Sequence, residues 1–207
     1  MINLYGFGQS RSFRAVWALE EAGLEYTYIA VDFNSDQAPH GRHSDNYKSI
    51  NFQGKVPTLE DEDLILTESA AILNYIARKA PEAGLMPDDD IKLLARYDEL
   101  AFFVLSDLEQ PLWSNGKHRF ALPQEQRIPQ MLETANWEFA KSLQALNNHL
   151  GDQEYALGNQ FTNLDILIAQ TINWAQRFNF DVPEKFVALR DRHYARPAAI
   201  RAAEVTS

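Results

Sequence analysis

Three short segments in the first third of the chain carry side chains placed for chemistry. In Gly8-Gln9-Ser10-Arg11-Ser12-Phe13-Arg14-Ala15-Val16, two hydroxyls stand just ahead of an apolar helical period. The first N–H groups of a helix have no partner inside it, and its dipole favours negative charge there. A serine at that point can cap the helix or donate a hydrogen bond to a bound anion. In Asn51-Phe52-Gln53-Gly54-Lys55-Val56-Pro57-Thr58-Leu59, Pro57 heads a strand without offering it a donor. The backbone N–H and carbonyl groups around Val56 can then face a peptide-like ligand, and a cis Val56–Pro57 bond would aim them that way. Only about 5–6% of X–Pro bonds are cis, so the sequence does not select that form. In Thr67-Glu68-Ser69-Ala70-Ala71-Ile72, Ser69 falls in the first turn of a helix, where its hydroxyl and an amide N–H can seat a carboxylate. Glu68 beside it can accept from an ammonium. The pair suits an α-amino acid head group, and ordinary capping accounts for the same residues.

The elements that must hold these segments follow from hydrophobic period and breakers. Ile2–Tyr5 reads as a strand, and Ser12–Ala22 as a helix with Phe13, Val16 and Trp17 on one face and Gly23 as its stop. Tyr26–Val31 reads as a second strand, residues 33–47 as mostly loop, and Thr58–Glu60 and Leu64–Leu66 as a hairpin. Thr67 is expected to cap a helix that buries Ile72, Leu73 and Ile76. The order β-α-β, loop, β-β-α implies a parallel pair with a right-handed crossover and an added antiparallel hairpin. That is a four-stranded mixed sheet with flanking helices, a thioredoxin-like α/β domain over residues 1–80. Breakers in Pro81-Glu82-Ala83-Gly84-Leu85-Met86-Pro87 mark a linker, 81–87. Beyond it only helical periods occur, through Ile91–Leu108, Ile128–Leu150 and Leu164–Ala175, so 88–207 is expected to be an all-α bundle of about five or six helices. Asp88-Asp89-Asp90 supplies capping and first-turn charge, Thr162-Asn163-Leu164-Asp165 opens a helix as a capping box, and Pro197 takes a first helical position.

Composition narrows the function classes. Nineteen basic against 29 acidic side chains give a net charge of −10, which disfavours a nucleic-acid surface or an anionic-membrane patch. Cysteine is absent, so the chain has no thiol nucleophile, no disulfide and no thiolate metal ligand. His40 and His43 lack an identifiable third ligand, and Gly6-x-Gly8 is too short for a dinucleotide fingerprint. The start Met1-Ile2-Asn3-Leu4-Tyr5 lacks a signal-peptide pattern, and no apolar run reaches the length of a membrane span. A cytoplasmic protein is expected. Apolar residues at 45% suffice for a packed core.

Taken together, Lys55-Val56-Pro57 followed by Glu68-Ser69, the string Ser10-Arg11-Ser12-Phe13-Arg14-Ala15-Val16-Trp17, Thr162-x-x-Asp165 and Arg196-Pro197-Ala198 resemble the cytosolic glutathione S-transferases, in particular serine-type bacterial members. The resemblance covers essentially the whole chain. Two positions depart from it: Phe52 stands where many relatives have Pro, and Leu164 where Ala is usual. It implies a thioredoxin-like glutathione-binding domain, an all-α second domain and a homodimer. It also implies roles. Ser10 would donate its hydroxyl to the glutathione sulfur. Lys55, with Arg42 or His43, would meet the glycyl carboxylate. Val56, held by a cis Pro57, would pair its backbone with the cysteinyl part, and Glu68 and Ser69 would seat the γ-glutamyl group. Tyr5 and Ser12 remain alternatives for the thiolate contact.

The implied reaction is conjugation of the glutathione thiolate to a small hydrophobic electrophile, with glutathione as co-substrate and no metal or other cofactor. A free thiol has a pKa of about 8.5, and lowering it by two units requires about 2.7 kcal/mol. One charge-assisted hydrogen bond supplies ~1.5–3 kcal/mol and the helix dipole adds a few tenths or more, so no general base is required. Phe7 and Arg11 near Ser10, and Phe103 and Trp113 in the second half, are candidates to line the second-substrate pocket; with Phe102, most of the latter aromatics are expected in the core. Two other readings stand beside the transferase: a non-catalytic binding or protein-interaction module of the same fold, and a glutathione-dependent peroxidase or isomerase.

Overall fold

A computed structural model describes residues 1–33, 40–88, 90–151 and 153–207. The chain forms two compact units, Met1–Met86 with Tyr194–Ser207, and Pro87–His193. The division expected from sequence, 1–80 and 88–207, differs from this packing chiefly in its last segment, which joins the first unit.

The first unit contains β1 (Ile2–Gly6), α1 (Ser12–Ala22), β2 (Tyr26–Ala30), α2 (Asp45–Ile50), β3 (Thr58–Asp61), β4 (Leu64–Thr67), α3 (Ser69–Lys79) and, from the far end of the sequence, α9 (Pro197–Val205). The sheet order is β2-β1-β3-β4. β1 runs parallel to β2, with Ile2 opposite Tyr26, and antiparallel to β3, with Tyr5 opposite Thr58. This is the mixed sheet that the element order predicts. Leu4, Leu59, Phe13, Val16, Trp17, Ile72, Leu73 and Ile76 are fully buried, each contributing about 1.5–3 kcal/mol of apolar burial. Gly23 stops α1 in the left-handed region, φ +62°, and its N–H donates to the Leu19 carbonyl.

Two local expectations change. The loop expected over 33–47 gives way to α2 at Asp45, because Ser44 caps it by accepting the Tyr47 N–H at 3.2 Å; residues 34–39 lie outside the described residues. Thr67 is not a helix cap: it pairs with Thr58 as the last residue of β4, and Glu68 takes the cap position with no side-chain bond.

α9 lies on α1. Arg196 donates to both carboxylate oxygens of Glu21 at 2.6 and 2.8 Å, Arg201 pairs with Glu20 at 2.6 Å, and the Tyr194 ring stacks on Phe13 at 5.3 Å. Pro197 occupies the first turn of α9, as its position in the sequence predicts.

The second unit is helical: α4 (Ile91–Phe103), α5 (Gln110–Gly116), α6 (Gln130–Leu150), α7 (Asn163–Arg177) and α8 (Glu184–Tyr194, whose last residue counts with the first unit), with π turns at Val104–Leu108 and Lys117–Ala121. Asp90 caps α4 by accepting from the Lys92 and Leu93 N–H groups; Asp89 lies outside the described residues. α7 is buried along almost its whole length. Its capping box forms as expected, with the Asp165 carboxylate accepting from the N–H groups of Thr162 and Ala156, both at 2.8 Å. Burial pushes the Asp165 carboxyl up to about 6 against these bonds, and His193 Nε2 lies 3.6 Å from it.

Candidate functional site

The chain leaves β1 at Gly6, turns through Phe7–Arg11 and enters α1. A Cβ at Gly6 would lie 2.9 Å from Ser12 Cβ and 2.6 Å from the Tyr28 ring, so only glycine lets Ser12 pack at this corner. Ser12 is buried, and its Oγ accepts from the Phe7 N–H at 3.2 Å. Ser10 is half-buried. Its Oγ accepts from the Ser12 N–H at 3.2 Å and donates to Ser12 Oγ at 3.1 Å. The formal cap residue is Arg11, which makes no side-chain cap bond. Ser10 therefore holds a mobile proton at the mouth of the helix, fixed from behind by a backbone donor. Tyr5 is differently disposed: its ring is buried, its hydroxyl donates to Glu60 Oε2 at 3.1 Å, and burial followed by the Glu60 charge pushes it up. A phenol so held is a poor donor to a thiolate.

The Val56–Pro57 peptide bond is cis. Among the described residues the backbone N–H and C=O of Val56 have no hydrogen-bond partner, while its side chain packs against the buried cluster of Tyr5, Val31 and Tyr47. Gly54, at φ +59°, approaches the Arg42 carbonyl so closely that a Cβ there would lie 2.5 Å from it. The Arg42 backbone and the His43 ring thus lie against Gly54, the residue before Lys55, which is exposed. The Arg42 guanidinium sits 5.1 Å over the Phe33 ring, and Phe33 in turn lies 4.5 Å from Phe7.

At α3 the two candidate seats separate in character. Ser69 is the first helical residue and is buried. Its Oγ accepts from Arg14 Nη1 at 3.3 Å. Arg14 is fully buried on α1, so a guanidinium stands behind the N-terminus of α3 and adds to a field that already favours an anion. Glu68 is exposed and sits at φ +66°, a conformation costly for a residue with a Cβ.

The proposed second-substrate residues divide between the units. Phe7 is 44% exposed and Arg11 half-buried, both in the Ser10 turn. In the helical unit, Phe103 ends α4 with its ring 4.9 Å from His149, and Trp113 is half-buried on α5. Phe102, expected in the core with them, is 67% exposed, because it falls on the outer face of α4.

Three residues escaped the sequence reading. Arg14 left one signal, a charge inside the otherwise apolar period Phe13-Ala15-Val16-Trp17. Asn51 stands at the head of the Gly54-Lys55-Val56-Pro57 turn, and Tyr47 sits in the segment read as loop. Both are buried and both bond to the Lys55 carbonyl.

Family models agree with this layout. The model for the glutathione S-transferase N-terminal domain matches residues 1–78, and that for the glutathione S-transferase C-terminal domain matches 110–197. The chain is 27% identical to glutathione S-transferase GstA of Escherichia coli O157:H7, across 86% of each chain. It is 31% identical to a probable maleylacetoacetate isomerase of Caenorhabditis elegans, over 86% of this chain and 81% of that one. A glutathione transferase homologue from Sulfitobacter, solved with bound glutathione, matches with a TM-score of 0.83 at 26% identity, covering 99% of this chain and 97% of the other.

Proposed function

Since the chain belongs to the glutathione S-transferase family, we propose that its first unit binds glutathione through Ser10, Val56, Glu68 and Ser69 and conjugates the thiolate to small hydrophobic electrophiles. The observation that carries this reading is the hydroxyl of Ser10, whose oxygen is fixed by the Ser12 N–H and whose proton rests on a neighbouring hydroxyl. Such a group can turn its proton toward a sulfur anion without acting as a base. The γ-glutamyl carboxylate takes the α3 N-terminus, backed by Arg14, and its ammonium meets Glu68. The cysteinyl amide groups pair with the unpartnered backbone of Val56. The glycyl carboxylate faces Lys55, with Arg42 or His43. Pro57 holds the Val56 peptide groups outward, and the exposed Phe7 ring offers apolar contact to the electrophile beside Arg11.

Glutathione enters as co-substrate, and we assign no metal or resident cofactor. We further infer a cytoplasmic homodimer working in detoxification. Among the described residues no helix is long and apolar enough to cross a membrane.

Retention on immobilised glutathione and turnover with haloaromatic, epoxide and hydroperoxide acceptors test the reading. Ser69→Ala is expected to weaken retention. Ser10→Ala is expected to retain binding but raise the pKa of the bound thiol by about one to two units. An unchanged thiolate titration in Ser10→Ala removes Ser10 from its role, and binding without turnover of any acceptor favours the non-catalytic module.

The similarity to a probable maleylacetoacetate isomerase favours one second reading. A thiolate that adds to a double bond conjugated with a carbonyl forms a C–S bond and shifts the π electrons to oxygen. Rotation about the new single bond and re-expulsion of the thiolate give the geometric isomer with glutathione unconsumed. Isomerisation of a cis enone acid with no loss of free thiol would select this reading over conjugation.

A further inference from the structure

We propose that Tyr47 and Asn51 are positioning residues for the tripeptide, acting as a two-point clamp on the Lys55 carbonyl and the Thr58 hydroxyl, which flank Val56 and Pro57. The inference rests on the glutathione reading above and adds to it the device that fixes the peptide-pairing edge.

Every polar atom of the clamp is accounted for. The Tyr47 hydroxyl donates to the Lys55 carbonyl at 2.6 Å, and Asn51 Nδ2 donates to the same oxygen at 2.9 Å. That carbonyl therefore has both lone pairs filled. Asn51 Nδ2 also donates to Thr58 Oγ1 at 2.9 Å, and Thr58 Oγ1 lies 3.0 Å from the Tyr47 hydroxyl. Since Tyr47 has given its one proton to Lys55, Thr58 is the donor across that contact. Asn51 Oδ1 accepts from the Gln53 N–H at 3.0 Å, which fixes which end of the amide faces the clamp. Tyr47, Asn51 and Thr58 are all buried, and the two bonds to Thr58 Oγ1 are shielded from water.

The bonds fall on the residue before Val56 and on the residue after Pro57, while Val56 itself keeps an unpartnered N–H and C=O among the described residues. A free edge held at both ends is pre-organised for an extended ligand, and such ordering contributes affinity by lowering what binding must fix. The clamp touches neither the Ser10 hydroxyl nor the α3 N-terminus. Its loss should therefore weaken binding and leave the bound thiol as acidic as before.

The test measures KM for glutathione, kcat at saturating glutathione and the pKa of the bound thiol in the full chain. Asn51→Ala, which removes two donated bonds and the acceptor of the Gln53 N–H, is expected to raise KM about tenfold; Tyr47→Phe, which removes one donor and keeps the ring, about threefold. In both, kcat should stay within about twofold and the thiol pKa within a few tenths. The double variant should fall short of the product of the two effects, because both act on one carbonyl. If Asn51→Ala does not fold, Tyr47→Phe alone decides. An unchanged KM in the folded variants, or a thiol pKa that moves along with KM, overturns the clamp. Native protein that fails to bind glutathione overturns the functional reading itself, and this is seen before any variant is made.

Discussion

At Ser10 the resting hydrogen bond is a competitor as well as a support. The proton that would serve a thiolate is already donated to Ser12 Oγ. Binding must therefore exchange a neutral hydroxyl–hydroxyl bond, worth about 0.5–1.5 kcal/mol, for a charge-assisted one. Ser12→Ala removes the competing acceptor while leaving the Ser12 backbone N–H that fixes Ser10. It should lower the pKa of bound glutathione by a few tenths to one unit, opposite in sign to Ser10→Ala, at some cost in stability from the orphaned Phe7 N–H. Thiolate absorbance across pH reads both variants, and a rise in Ser12→Ala would instead make Ser12 a helper of the thiolate. This part of the site was only half legible. Two serines before a helix announce an anion site, but which hydroxyl is accessible depends on Gly6 letting Ser12 sink against the sheet. Arg14 and Ser69 are 55 positions apart, and no local rule links them.

Among elements, those governed by short-range rules could be read directly: the Gly23 stop, the Thr162–Asp165 box and Pro197 at the start of α9 each depend on residues within one turn. The loop around Gly54 could not, since its constraint is a carbonyl twelve residues upstream (54 − 42 = 12). Gly54→Ala meets two penalties there, a left-handed φ costing about 1–2 kcal/mol and a Cβ against backbone that must move. It should lower thermal stability and weaken glutathione retention together; a variant with native retention would detach this loop from the site. In α7, the Asp165 carboxyl is raised from the ordinary 3.8 to about 6 by burial. Its folded form binds the proton more tightly than the unfolded form, so its contribution to stability is complete below the ordinary value and declines as pH rises toward 6. Between pH 4 and pH 7, Asp165→Asn should gain about 3 kcal/mol on the native protein in denaturant titrations. A difference that does not vary with pH would show that the capping bonds outweigh burial.

For the whole molecule, the informative feature is that the first unit is assembled from both ends of the described sequence. Pro197 marked the start of α9, but nothing local could say where that helix docks, because its partners on α1 are 175 and more positions away. The docking pairs are unequal. Each arginine makes two bonds to its glutamate, but both of Arg196's go to the Glu21 carboxylate from a side chain 31% exposed, whereas Arg201, 51% exposed, gives one bond to the Glu20 carboxylate and one to its carbonyl. Arg196→Ala should therefore loosen α1 by about 1–3 kcal/mol, and Arg201→Ala should have little effect. Hydrogen exchange of the α1 amides separates the two; no effect from either variant would mean that apolar contacts such as Tyr194 on Phe13 carry the docking alone.

The same closure has a temporal consequence. A ribosome finishes the sheet, α1 and α3 early, yet more than a hundred residues must be translated before the segment that covers α1 leaves the exit tunnel. Through that interval the nascent thioredoxin-like half presents the α1 surface that α9 will later cover. That is the period in which a chaperone would be engaged.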